Sequence, residues 1–244
     1  NTIYNCPFGN NQQGPHESIF CGRPSLNNFQ ASSWSKMKNY YDPTVTEEAA
    51  RLMVEVADKY RGNNNFEYDL VDIVRQSLSD KGRIVYNRTI ADFKSFDKRS
   101  FARDSRKFLD ILLLQDKLLG TRSEFRVGRW IEQARNLGTT PEEKDLYEWN
   151  ARVQITTWGN RVCADDGGLR DYAHKEWNGI LRDFYKRWAA YWQTLQDQLD
   201  GKPEVKLDYY AMEEPWTLAK NPYSSVPEGS CVDVAKEVFE KAMR

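Results

Sequence analysis

Residues 139–159, Thr-Thr-Pro-Glu-Glu-Lys-Asp-Leu-Tyr-Glu-Trp-Asn-Ala-Arg-Val-Gln-Ile-Thr-Thr-Trp-Gly, carry the reading that decides the fold. Thr140 stands directly before Pro141 and three residues before Glu143. In that order the threonine hydroxyl can accept from the third helical N–H, and the glutamate can reach back to the threonine's own N–H. Proline suits the first helical position, where an N–H would have no intrahelical partner. The spacing predicts a helix over residues 141–157 with a sharply defined start.

Helical character extends outward from there in both directions. Upstream, a helix is expected over residues 124–137. Phe101, Phe108, Ile111, Leu112 and Leu119 mark part of another, closed by Gly120, and Phe66, Leu70, Ile73, Val74 and Ser77 mark a further one. Thr46 reads as the cap of a segment in which Ala49, Leu52, Met53, Val56 and Tyr60 recur at helical spacing before Gly62. Downstream, Gly159 to Gly168 reads as a flexible glycine-rich rim. Residues 169–199 read as the longest helix, its stripe of Trp177, Leu181, Phe184, Trp188, Tyr191, Leu195 and Leu199 being core. A last helix is expected over residues 232–243.

Residues 1–43 are broken by Gly9, Gly14, Pro15, Gly22 and Pro24 and read as a long ordered loop. A loop of that length in a compact domain is usually functional or lies over a neighbouring domain. No useful strand alternation and no fixed-period repeat is present. The expected fold is all-α, an irregular bundle of about eight helices over residues 44–244 preceded by the loop region 1–43, as one domain.

The composition narrows the function classes. Of 244 residues, 40% are hydrophobic and 29% charged, as in globular chains. Thirty-five Lys and Arg against 36 Asp and Glu leave a formal charge of −1, which supplies no electrostatic reason for a nucleic-acid or anionic-membrane partner. The longest apolar run, residues 111–114, is far short of the ~20 residues that span a bilayer. Cys6, Cys21, Cys163 and Cys231 show no C-x-x-C spacing and accompany only His16 and His174, so neither a zinc site nor any other cofactor is expected. The four cysteines allow three disulfide pairings and are equally compatible with free thiols. With no initiating Met and no leader, the chain is expected to start inside a larger protein.

Several polar residues invite a functional reading. Asp69, Asp72, Arg75 and Gln76 share one helix at spacings that bring side chains together, which more often builds a structural ion pair than a catalytic carboxylate pair. Glu132 and Glu148 are helical glutamates under the same caution. Asn87-Arg88-Thr89 fits a glycosylation pattern by chance alone. His16 lies in the long loop, where a side chain can be offered to a ligand. Trp158 and Tyr172 bracket the glycine-rich rim, and aromatic rings at a loop edge can present a face to the apolar side of a sugar.

The run Gly128-Arg129-Trp130-Ile131-Glu132-Gln133-Ala134-Arg135, with Tyr147-Glu148-Trp149-Asn150-Ala151-Arg152-Val153-Gln154-Ile155-Thr156-Thr157-Trp158-Gly159, resembles the carboxy-terminal domain of the alpha-N-acetylglucosaminidases. The resemblance continues through Asp171-Tyr172-Ala173-His174-Lys175, Phe184-Tyr185-Lys186-Arg187-Trp188 and Val232-Asp233-Val234-Ala235-Lys236, and reaches back to Tyr4-Asn5-Cys6. It implies an all-α domain packed against an upstream (β/α)8 barrel that supplies both catalytic glutamates, and no catalytic residue in this chain. The implied reaction is retaining, with carboxylates about 5–5.5 Å apart, and releases terminal alpha-linked N-acetylglucosamine from glycosaminoglycan or mucin-type chains. The implied location is that of an exported or lysosomal-type enzyme. In this family the helical domain forms a wall of the substrate pocket, and the matching positions are His16, Trp158, Leu169 and Tyr172. The rim between Trp158 and Tyr172 is longer than in the animal lysosomal members. A different class of function, a stand-alone helical carbohydrate-binding or scaffold module, stands beside this reading, as does a complete enzyme using Asp69, Asp72, Glu132 or Glu148.

Overall fold

A computed structural model of the chain describes residues 19–27, 41–166, 170, 175–185, 187–220 and 222–244. Among them eight α-helices follow one another: α1 Pro43–Val56, α2 Asn64–Lys94, α3 Lys98–Leu119, α4 Val127–Arg135, α5 Pro141–Gln154, α6 Arg187–Leu199, α7 Tyr209–Leu218 and α8 Cys231–Met243. The described residues contain no sheet, and one isolated bridge joins Arg126 to Asn178. The fold is all-α. No helix among them is long and apolar enough to cross a membrane.

Helix α2 is the axis, with α1, α3 and α8 packed along it, while α4, α5 and α7 form a second layer. The centre is aromatic because the apolar positions of three helices converge there. Tyr86 of α2, Phe101 and Phe108 of α3, and Trp188 and Trp192 of α6 are at most 3% exposed. Phe108 lies 4.8 Å from Trp188 and 5.5 Å from Trp192 between ring centroids, within the range of favourable tilted and edge contacts. Each such side chain stabilises the fold by roughly 1.5–3 kcal/mol through burial alone.

Residues 19–27 join that core. Phe20 is fully buried and reaches 5.2 Å from Phe108. Its seat is Gly82, in the middle of α2, where an added Cβ would lie 2.5 Å from the Phe20 ring. Glycine costs a helix interior about 1 kcal/mol against alanine, and here that cost admits a loop residue to the core. The segment's backbone oxygens are taken up by side chains: Trp188 Nε1 donates to Phe20 O at 3.1 Å, Arg187 Nη2 to Cys21 O at 2.6 Å and Tyr209 OH to Pro24 O at 2.6 Å.

Several expectations are corrected. Thr46 is not the cap of α1; Asp42 is, its side chain accepting from Thr44 N at 2.9 Å with Pro43 at the first position. Thr46 is buried and donates to Asp80 at 2.6 Å, tying α1 to α2. Helix α2 runs on past Ser77 to Lys94 and is the longest, because Val85, Tyr86 and Ile90 keep its inner face apolar beyond Gly82. Residues 169–199 do not form one helix. Asn178 pairs with Phe125 and Val127 through its backbone, and Gly179 adopts φ 94°, a left-handed conformation open to glycine. A single π-type turn, Ile180–Phe184, then precedes α6.

That break is built by Asp116. Its buried carboxylate accepts from Gly179 N at 2.7 Å, Arg182 N at 3.2 Å and Asn178 Nδ2 at 2.9 Å. Burial pushes its pKa up, even though those donors and Arg182 favour the charged form. The apolar spacing of residues 177–199 survives because the turn still points Leu181 and Phe184 inward, both at most 4% exposed.

The glycine-rich rim, as far as it is described, is wound and tethered. Val162–Asp166 makes a π-type turn, Arg161 bridges to Asp208 at 2.8 Å, and Asp165 meets Arg23 at 2.6 Å. Helix α7 has no counterpart in the helical spacing, since Pro215 lies inside it; Asp208 caps it, accepting from Ala211 N at 3.0 Å.

Candidate functional site

Helix α5 opens with the capping box expected from its sequence: Thr140 Oγ1 accepts from Glu143 N at 3.2 Å, and Glu143 accepts in return from Thr140 N at 3.2 Å. Its far end sets the site. Ile155, Thr156 and Thr157 are 1–2% exposed, whereas Trp158 is 37% exposed. The chain turns there through φ 64° at Trp158, whose N–H donates to Val153 O at 2.8 Å. A positive φ is rare for a bulky residue and carries strain that the surroundings must hold in place. The result is an indole carried to the surface at a rigid helix end.

Trp158 borders a cleft of about 570 Å³ together with Trp130 of α4 and Trp177 of the segment before Gly179. Trp130 is held by its indole N–H, which donates to Ala151 O at 2.9 Å. Trp177 lies 6.1 Å from Trp130 between centroids at an interplanar angle of 50°, with the Lys175 ammonium 5.2 Å from its ring centre. Helical spacing assigned Trp177 to the core; it packs against the core from a half-buried position and also borders the cleft that Trp158 lines. Of the other anticipated site residues, His16, Leu169 and Tyr172 lie outside the described residues.

The carboxylates weighed as catalytic candidates are engaged elsewhere. Asp72 accepts from Arg75 at 2.8 Å, and Arg75 also pairs with the buried Glu176, which takes a further bond from Ser79 at 2.8 Å. Burial alone would lower the Arg75 pKa, and the two carboxylates outweigh it and raise it. Asp69 is exposed. Glu148 is 6% exposed and accepts from Arg152 at 2.7 Å and from Arg135 at 2.6 Å. The Arg152 guanidinium lies 4.8 Å from the Trp216 ring centre and 5.3 Å from that of Tyr223, so this charge meets aromatic rings as well as carboxylates. Exposed Glu132 lines a second cleft of about 560 Å³ with Asp145 and Lys220, which pair with each other. Among the described residues these acids form structural ion pairs or face solvent.

Comparisons with known proteins agree along the whole chain. A family model described as "Alpha-N-acetylglucosaminidase (NAGLU) C-terminal domain" matches residues 1–241. Human alpha-N-acetylglucosaminidase is 31% identical over 247 residues, covering 98% of this chain and 32% of the relative. A family 89 glycoside hydrolase from Clostridium perfringens, solved with PUGNAc, superposes with a TM-score of 0.90 at 33% identity, covering 96% of this chain and 27% of that one. A form of the same bacterial enzyme with two glutamates changed to glutamine, solved with its substrate GlcNAc-alpha-1,4-galactose, gives a TM-score of 0.89 at 34% identity, covering 94% of this chain. The chain therefore spans about a third of the length of its human relative and somewhat less of the bacterial ones. Matched from end to end in sequence and in the course of its helices, it belongs to the alpha-N-acetylglucosaminidase C-terminal domain family.

Proposed function

We propose that this chain is one wall of the substrate pocket of an exo-acting glycosidase that releases terminal alpha-linked N-acetylglucosamine. The observation that carries the reading is Trp158: a 37% exposed indole on a strained, left-handed backbone, directly after three buried residues. Strain of this kind persists where the surroundings over-determine it, and it concentrates at ligand clamps and active sites. Family membership and the substrate held by a similar bacterial enzyme support the ligand class. The two reacting carboxyls belong to an upstream barrel, one protonating the leaving oxygen and the other attacking the anomeric carbon. Exposed Leu137 beyond α4, Leu146 and Trp149 on α5 and Leu218 on α7 supply apolar surface for that neighbour.

In the intact enzyme, Trp158→Ala is expected to lower kcat/KM on alpha-N-acetylglucosaminyl fluoride about tenfold or more, the scale of one lost apolar contact in a substrate pocket. Unchanged kinetics would remove Trp158 from the pocket. The helical chain by itself is expected to hydrolyse nothing and to bind N-acetylglucosamine too weakly for calorimetry, since half the pocket and its pre-organisation are missing. Strong binding by the isolated chain, lost on Trp158→Ala, would favour a free-standing carbohydrate-binding module.

A further inference from the structure

The tip of the α2–α3 hairpin carries an aromatic side chain that the core does not use. Helix α2 ends in a turn in which Phe96 N donates to Phe93 O at 3.1 Å and Asp97 N donates to Asp92 O at 3.0 Å. That bonding pattern places one residue in the left-handed conformation, a position that glycine or asparagine usually fills. Here the residue is Phe96, at φ 60°. A left-handed backbone strains a bulky residue, and packing returns little of the cost, because Phe96 is 77% exposed.

The surroundings of Phe96 are basic. Residues 94–107 hold Lys94, Lys98, Arg99, Arg103, Arg106 and Lys107 against Asp97 and Asp104, six positive charges against two negative in a chain whose total is −1. Both carboxylates are engaged. Asp97 caps α3, accepting from Ser100 N at 3.0 Å, and buried Asp104 pairs with Arg88 and Arg103. Lys94, Arg99 and Arg106 are exposed and form no ion pair among the described residues. We infer that this tip docks on an anionic lipid surface, with Phe96 as the apolar wedge and the cations at the headgroups. Such a surface offers both chemistries together: its headgroups attract Lys and Arg, and the acyl boundary below them takes an aromatic ring out of water. A soluble polyanion would satisfy the cations and leave Phe96 in water. The strained turn has a use in this setting, since it presents the ring from a fixed point between two long helices and little order is lost on docking. At the rise of a helix, Asp116 lies about 27 Å along α3 from Lys98, so the tip stands at the other end of that helix from the turn before α6. The inference therefore goes beyond the pocket-wall reading and does not rest on it.

The test is sedimentation of the intact enzyme with phosphatidylcholine vesicles, with and without phosphatidylserine, at low ionic strength. Binding is expected only with phosphatidylserine and is expected to weaken as salt is added. Phe96→Gly should lower the partition coefficient about tenfold or more, the scale of one aromatic ring returned to water. Its thermal midpoint should stay level or rise, because glycine relieves the left-handed strain, and this excludes unfolding as the cause. Lys94→Glu should lower partitioning about fivefold or more. Hydrolysis of alpha-N-acetylglucosaminyl fluoride should be unchanged in both variants, which keeps this test separate from that of Trp158. Absence of phosphatidylserine-dependent binding would overturn the inference, as would a Phe96→Gly enzyme that binds vesicles like its parent. Heparin binding that survives Phe96→Gly, without vesicle binding, would assign the cations to a polyanionic chain instead.

Discussion

Cys231 and Cys163 show how burial divides two residues of one type. Cys231 opens α8 and is 8% exposed, while Cys163 is exposed on the turn of the rim; neither is in a disulfide. Burial, reinforced by the nearby Glu67, pushes the Cys231 thiol up to about 11. The thiolate is the nucleophile, so iodoacetamide at pH 8 is expected to modify Cys163 and spare Cys231, as peptide mass mapping would read. The stability consequence has a definite sign. The unfolded thiol ionises near pH 8.5 and the folded one only near 11, so above pH ~8.5 the unfolded state holds fewer protons and stability falls as pH rises. That alkaline loss should shrink in Cys231→Ala; an unchanged slope of unfolding midpoint against pH would refute the assignment.

At the scale of an element, the informative object is the break before α6. Its stability comes from Asp116 on another helix, whose carboxylate caps the backbone N–H groups of Gly179 and Arg182. Asp116→Ala leaves the buried Gly179 N–H and the partly buried Arg182 N–H without that acceptor, and a loss of about 2–3 kcal/mol in urea unfolding is expected. Asp116→Asn retains an acceptor oxygen and should lose less. Trp177 lies directly before the break and borders the same cleft as Trp158, so Asp116→Ala is also expected to weaken activity in the intact enzyme more than an equally destabilising change in the α1–α2 contact. The α5 boundary was legible because Thr140, Pro141 and Glu143 interact within one turn. The break was not legible, because the residue that stabilises it lies 63 positions from Gly179 in the chain. Helix α7 was missed for a related reason: Pro215 opposes it locally, and burial of Trp216 together with the ion pairs of Glu213 overrides that preference.

Across the whole molecule, one ion cluster joins segments distant in sequence. Glu213 of α7, 3% exposed, meets Arg23 of the amino-terminal segment at 2.7 Å and Arg187 of α6 at 3.1 Å, and Arg23 continues to Asp165 of the rim. Burial works against the Arg23 charge, but the Glu213 and Asp165 carboxylates more than compensate and raise its pKa. Removing one partner of such a cluster exposes the others to the full cost of buried charge. Glu213→Ala is therefore expected to destabilise by about 3–5 kcal/mol and to speed proteolysis of the amino-terminal segment, with Glu213→Gln intermediate. A loss below about 1 kcal/mol in the urea unfolding free energy would show that water, not the carboxylate, compensates the two arginines.

The sequence alone determined what depends on near neighbours: the all-α class, the capping box that opens α5, an aromatic core written in three- and four-residue spacing, and, through long ordered runs of residues, the family. Tertiary structure decided what depends on distant partners. Phe20 enters the core because Gly82 leaves room for it, the chain breaks at Gly179 because Asp116 caps the turn, and Trp177, directly before that break, borders one cleft with Trp130 and Trp158. The physical reason is range: a cap or an apolar stripe acts over one or two turns, whereas a cleft requires surfaces that meet only when separate helices have packed.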